Sequence, residues 1–193
     1  MSARQLSLLE PASTLPDGFE YREGFVSGAE QAELVSHIAR LELREFEFHG
    51  YLGKRRVTSF GLRYDFNDMA VHEAAEMPDF LLPLRGRAAS FAGFDPDELA
   101  HALVTEYMPG AAIGWHRDRS VFGDVVGISL GAACRFRLRR KLGERWERAS
   151  LTLMPRSAYL LRGPVRHEWQ HSIPPVEELR YSVTFRSTAR SAA

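Results

Sequence analysis

From residue 101 onward the chain reads as a succession of short β-type runs with turn residues and no helical signal between them. They are Leu103 to Tyr107, Ile113 to Asp118, Val125 to Leu130, Cys134 to Arg139, Ser150 to Met154, Ala158 to Leu161 and Arg180 to Arg186. Parallel strands need crossover connections of about a dozen residues or more, so runs this closely spaced must pair antiparallel. Two packed antiparallel sheets, a β-sandwich or jelly roll, are the economical solution. The N-terminal half supplies two helices. Ser27 followed by Glu30 has the form of a capping box, and Ala32, Val35, Ile38 and Ala39 recur at helical spacing to about Leu41. A second helix is signalled by Asp79 as cap, by Phe80, Leu84, Ala88 and Phe91 on one stripe, and by Gly93 as stop, with Pro83 limiting where it begins. The expected class is mostly β (α+β): a double-stranded β-helix, or jelly roll, braced by two N-terminal helices. Residues 1–24 read as a loosely tethered arm in which Phe19 and Tyr21 alternate as an edge strand might, and no linker divides the remainder, so 1–193 is expected to be one domain.

Twenty-five basic and twenty-five acidic residues cancel, which excludes holding nucleic acid by bulk charge and leaves only local patches for that purpose. Cys134 is the one cysteine and reads as a small buried hydrophobe. The first twenty residues lack a basic start followed by an apolar run, and no window holds 18 consecutive apolar residues. The chain is therefore expected to be cytoplasmic, with no membrane contact. Period-two geometry puts His116 and Asp118 on one face at a strand end. With one further histidine, His167 or His171, they make a 2-His-1-carboxylate set that leaves positions open on Fe(II). In the C-terminal run Arg180, Ser182, Thr184 and Arg186 share one parity, while Tyr181, Val183 and Phe185 share the other. Arginines facing inward need an anionic guest. 2-Oxoglutarate fits, its keto acid end chelating iron and its far carboxylate taking a bidentate guanidinium.

Four strings, TEYMPGAAIGWHRD (105–118), FGDVVGISLGA (122–132), HEWQHSIPP (167–175) and RYSVTFR (180–186), resemble in that order the AlkB family of Fe(II) and 2-oxoglutarate-dependent oxidative dealkylases. The resemblance implies His116, Asp118 and His171 as the catalytic iron ligands, because His171 stands in the family's Trp-x-His-x-Ile-Pro context. It also implies Arg180 as the grip on the far carboxylate, Tyr107 as its hydrogen-bonding partner, and Arg186 as a second arginine of the pocket. Thr105 and Ser182 occupy positions where the best-known repair members carry asparagine, and still offer hydroxyls to the co-substrate. Ser120 stands where those members place an acidic residue near the damaged base, so base preference does not carry over. By the same resemblance, residues 25–99 are helical support and substrate lid, and residues 100–190 the catalytic jelly roll.

The activity so implied is removal of alkyl groups from base nitrogens of DNA, with Fe(II), 2-oxoglutarate and O2 as cofactors, releasing formaldehyde, succinate and CO2. It needs a single base presented at the metal, which a duplex supplies only by flipping. The alternatives are the same chemistry on tRNA or other RNA, a non-catalytic jelly-roll binding module, or a zinc site using His116, His167 and His171. A monomer acting on alkylated DNA is expected. The substrate is expected to meet the segment 49–66, which combines Lys54, Arg55 and Arg56 with Phe60, Tyr64 and Phe66. A second contact is expected at Arg135, Arg137 and the basic run to Arg148, whose hairpin turn falls at Gly143.

Overall fold

A computed structural model describes residues 15–48, 51–65 and 69–188. In chain order the elements are β1 (Phe19–Arg22), α1 (Gly28–Ile38), β2 (Arg44–Phe48), β3 (Tyr51–Phe60), β4 (Leu62–Asp65), β5 (Ala70–Glu73), α2 (Leu82–Ala92), β6 (His101–Tyr107), β7 (Ile113–His116), β8 (Phe122–Gly131), β9 (Cys134–Leu142), β10 (Arg145–Leu153), β11 (Ser157–Leu161), α3 (Gly163–His167), β12 (Gln170–Ile173) and β13 (Arg180–Thr188). The paired strands are antiparallel and form a larger sheet, ordered β1-β11-β8-β13-β6-β3-β2, and a smaller one, ordered β10-β9-β12-β7. β4 and β5 make a separate ribbon. This is the two-sheet jelly roll expected from the spacing of the runs. Among the described residues no helix is long and apolar enough to cross a membrane.

The larger sheet is covered on both faces, so its central strands β8, β13 and β6 are buried almost throughout, polar residues included. One face packs under the helices, where Leu34, Ile38, Leu84 and Ala88 meet Val104, Ile128, Val183 and Phe185. The other faces the smaller sheet, where Val125, Tyr159 and Leu161 meet Phe136, Leu138 and Leu153. Each fully buried side chain of this size contributes about 1.5–3 kcal/mol. Helix α1 starts at the expected box: the Ser27 Oγ accepts from the Glu30 N–H (3.2 Å) and the Glu30 carboxylate from the Ser27 N–H (2.8 Å). Helix α2 ends at Gly93, in the left-handed region at φ 69°.

Several boundaries differ from expectation. Residues 1–14 lie outside the described residues, but Phe19–Arg22 is no part of a loose arm: it pairs with Ala158–Leu161 as an edge strand of the larger sheet. Asp79 opens a 3-10 turn instead of capping α2, which begins at Leu82 with Pro83 in its first turn, where a missing N–H costs nothing. Between β11 and β13 the chain forms the single turn α3 and the strand β12, neither of which the residue pattern indicates. Phe60 is 8% exposed and sits in the helix-side core, so it is not a stacking residue. Its companion Phe66, like His49, lies outside the described residues.

Candidate active site

An open cleft of ≈ 1170 Å³ lies between the two sheets, with the β4–β5 ribbon at its mouth. Its floor is the larger sheet, and the register of three strands sets which side chains stand there. Arg55, Tyr107 and Arg180 are aligned across β3, β6 and β13, followed by Val57, Thr105 and Ser182, then Ser59, Leu103 and Thr184, with His101 beside Arg186 at the far end. The parity argument for β13 holds for Ser182, Thr184 and Arg186, which line the cleft while Tyr181, Val183 and Phe185 pack under the helices; Arg180, of the lining parity, is buried and is not itself among the lining residues. Glycine at 127 is required by space alone. A Cβ there would run into the buried Tyr159 ring, which crosses from β11 to line the same cleft.

The wall contributed by the smaller sheet brings His116, at the end of β7, opposite His171 on β12. With Asp118 they offer one ligand atom each, all within 4.8 Å of one another. The His116 Nδ1–H donates to the Gly114 carbonyl (2.8 Å), which leaves Nε2 with its lone pair free for a metal. Burial holds His116 below its ordinary pKa and His171 down at about 3. His171 Nε2 and Asp118 Oδ2, 3.7 Å apart, are thus a neutral imidazole beside a carboxylate and not an ion pair at neutral pH. Burial by itself would raise the Asp118 pKa, but the Arg186 guanidinium, with Arg166 behind it, outweighs it and keeps the carboxylate ionised. Two neutral imidazoles and one carboxylate are a ready donor set for Fe(II), and three ligands leave positions open. His167 does not join them. It is exposed at the end of α3, with its carbonyl accepting from Arg117 (3.0 Å), so a site built on His116, His167 and His171 is not assembled.

Asp118 is held from two sides. Arg186 donates to its Oδ1 through Nη2 (2.7 Å) and Nε (3.2 Å), and rests on His101 at 3.3 Å. Arg186 thus lines the cleft, as the second arginine expected there, and orients the Asp118 carboxylate. Arg166, 3% exposed, donates to the backbone carbonyls of Asp118, Arg119, Phe122 and Gly123, fixing the loop that carries Asp118. Neither His101 nor Arg166 stands out in the sequence. The period-two pattern of β6 is the one signal that aims His101 into the cleft.

Beside Tyr107 on the floor, Arg180 is 1% exposed, and its Nε and Nη1 have no hydrogen-bond partner. Among the described residues no carboxylate pairs with it, and its guanidinium lies 4.9 Å from the Tyr107 ring. The buried Ser129 hydroxyl, on the strand flanking β13, is likewise without a partner. A buried guanidinium with open N–H groups is costly unless an anion completes it, so the floor fits a carboxylate guest such as the far end of 2-oxoglutarate. Thr105, Tyr107 and Ser182 line the cleft beside it, as does Arg55, aligned with Tyr107 across β3 and β6.

The remaining candidates divide. Tyr64 lines the mouth with the Arg119 guanidinium 5.0 Å from its ring. Arg56 points away, because it neighbours Arg55 on a strand, and is paired with Glu106 at 2.7 Å. Ser120 is exposed and does not line the cleft, and Arg135 and Arg137 lie on the outer face of the smaller sheet.

A consequence of the buried imidazoles is testable without metal. His101 and His171 are each held down at about 3, burial being the largest cause. Below about pH 6.5 the unfolded chain takes up protons that the folded chain refuses, so stability is complete above that pH and falls as pH drops toward 3. Thermal unfolding of the metal-free protein should show a loss of roughly 2–4 kcal/mol between about pH 7 and pH 5. A melting temperature unchanged over that range would contradict it.

The sequence profile described as the 2OG-Fe(II) oxygenase superfamily matches residues 18–186. Among curated proteins, the Arabidopsis thaliana "Alkylated DNA repair protein ALKBH8 homolog" is 28% identical over 211 aligned residues, covering 96% of this chain and 59% of its own length. The "Uncharacterized protein L905" of Acanthamoeba polyphaga mimivirus is 29% identical over 110 residues, covering 49% of this chain and 50% of its own. The chain thus spans between half and three fifths of the length of these relatives. Among solved structures, that of OsALKBH1 superposes with a TM-score of 0.69 at 16% identity, covering 92% of this chain and 100% of the other. A Pseudomonas putida prolyl-4-hydroxylase superposes with a TM-score of 0.61 at 13% identity, covering 90% and 94%. At these identities the two structures speak for the fold.

Proposed function

The chain belongs to the 2OG-Fe(II) oxygenase superfamily and is a dioxygenase of the AlkB type, and from that premise we propose that it oxidatively removes alkyl groups from ring nitrogens of bases in DNA, with RNA as the alternative substrate. The observation that carries the reading is one cleft lined by the His116, Asp118 and His171 donor set and by Tyr107, beside which the buried Arg180 guanidinium keeps two unpaired nitrogens. The name of the Arabidopsis relative adds support for alkylated DNA.

Bound in this cleft, Fe(II) and 2-oxoglutarate would supply activation of O2, so that an N-linked methyl group is hydroxylated and lost as formaldehyde while 2-oxoglutarate leaves as succinate and CO2. The work of the chain is placement. His116, Asp118 and His171 would hold the metal on one side only. Arg186 and Arg166 keep Asp118 ionised and aimed. Arg180, with Tyr107, Thr105 and Ser182 along the floor, would take the far carboxylate and so fix the direction of the co-substrate. Tyr64, beside Arg119 at the mouth, offers a ring against which the target base can stack.

Single-turnover reactions on matched single-stranded DNA and RNA oligonucleotides bearing N-methylated bases test this. Formaldehyde release in step with succinate, faster on DNA, is the expected outcome. Succinate formation with neither strand demethylated would turn the assignment toward another hydroxylation substrate.

A further inference from the structure

The outer face of the smaller sheet concentrates positive charge, and strand pairing sorts it. Residues opposite one another across antiparallel strands share a face, and the register sets Arg139 against Arg148, Arg137 against Ser150, Arg135 against Thr152 and Lys141 against Trp146. Their intervening neighbours Cys134, Phe136 and Leu138 are buried between the sheets. Arg135, Arg137, Arg139, Lys141 and Arg148 thus stand together on the outside. The acidic residue of the hairpin that forms an ion pair, Glu147, is on the other side, where it shares Arg140 with Glu168. Among the described residues none of the five outer cations forms an ion pair.

Two indoles are set among these cations. The Arg139 guanidinium lies 4.3 Å from the Trp115 ring and 4.5 Å from the Trp146 ring, and the Arg137 guanidinium 5.0 Å from Trp115. Both arginines are oriented from β12, Arg139 donating to the Gln170 side chain (2.7 Å) and Arg137 to the Ser172 hydroxyl (3.0 Å). Trp115 also lines the cleft, and Trp146 is 39% exposed. A contact path therefore leaves the active-site mouth at Trp115, passes Arg139 and reaches Trp146. It crosses three strand spacings, about 14 Å.

Solvated strand faces usually mix both signs of charge, whereas this one sets five cations around two indoles with no ion-paired carboxylate. Aromatic rings interleaved with arginine and lysine match a polyanion whose repeating unit is itself aromatic. We propose that this face is the track for the single-stranded nucleic acid flanking the reacting base. Trp146 stacks a base, Lys141 and Arg148 meet phosphates, and Arg139 holds Trp115 and Trp146 at stacking distance along the path. The proposal rests on the nucleic-acid reading above and adds the route the strand takes.

The test is fluorescence anisotropy of the iron- and 2-oxoglutarate-loaded protein, without O2, with labelled oligothymidylate and oligouridylate of about 20 nucleotides. The comparison of the two reports which sugar the track accepts. For wild type, log affinity should fall linearly with log salt, by about 0.7 per phosphate contacted. Arg148→Gln should flatten that slope by about 0.7. Trp146→Ala should weaken binding at least about fivefold at every salt concentration without changing the slope, and Trp146→Phe should restore most of it. Conversion of 2-oxoglutarate to succinate without nucleic acid should be equal in all three variants. If Trp146→Ala also loses that conversion, Trp146→Phe and Arg148→Gln decide the matter. Wild-type binding matched by every variant would overturn the track and leave the nucleic-acid reading standing. Failure of wild type to bind either strand would remove both.

Discussion

Replacing His171 with alanine is expected to abolish retention of Fe(II), while His167→Ala leaves it within about twofold of wild type. Both histidines precede β13 and only three residues separate them, so sequence spacing does not choose between them. The fold does. His171 is on β12, paired with His116 and Leu138, and its ring meets that of His116 edge to face at 4.2 Å between centroids. His167 is exposed on α3. Loss of a partner that merely orients a ligand usually costs 10- to 100-fold in affinity, so loss of a direct ligand should exceed about 100-fold. Arg186→Met should fall in that lesser range, because Asp118 remains but loses both N–H groups that aim it. Metal content after anaerobic dialysis measures all three variants. Iron retained by His171→Ala and lost by His167→Ala would invert the assignment.

The second large effect is expected at Arg180. An ammonium keeps the charge of a guanidinium but not its two parallel N–H groups, so Arg180→Lys should raise the KM for 2-oxoglutarate by roughly 100-fold. Arg180→Met gives the more decisive contrast. This guanidinium is buried with no protein partner for Nε and Nη1. A buried polar group without a partner costs about 1–3 kcal/mol, so an apolar side chain of similar length should leave the unliganded fold as stable or more stable while removing co-substrate binding. Calorimetric titration with 2-oxoglutarate and a thermal melt of the unliganded variant separate the two effects. Equal co-substrate affinity in wild type and Arg180→Lys would refute the role. A large loss of stability in Arg180→Met would show the arginine to be structural.

Period and spacing by themselves determined the class of this fold and two of the faces that build its site. Short runs without crossover segments dictate antiparallel sheets, and a period of two puts His116 with Asp118 and Ser182 with Thr184 and Arg186 whatever the surrounding structure does. Periodicity, however, assigns a residue to one of two faces without saying what that face meets. Arg55 and Arg56 look alike on the page, and only the pairing of β3 with β6 turns the first to the cleft and the second to Glu106. Phe60 carries the same stacking promise as Tyr64 until the helices cover one and the β4–β5 ribbon leaves the other at the mouth. The basic run from Arg135 to Arg148 is a single feature in sequence and two surfaces in space, because a hairpin divides it by parity and places the Arg140 cluster opposite the rest. The anchors of Asp118 were the least legible. Arg166 and Arg186 lie 48 and 68 residues further along the chain, and no local pattern records a contact made only when the two sheets close on each other.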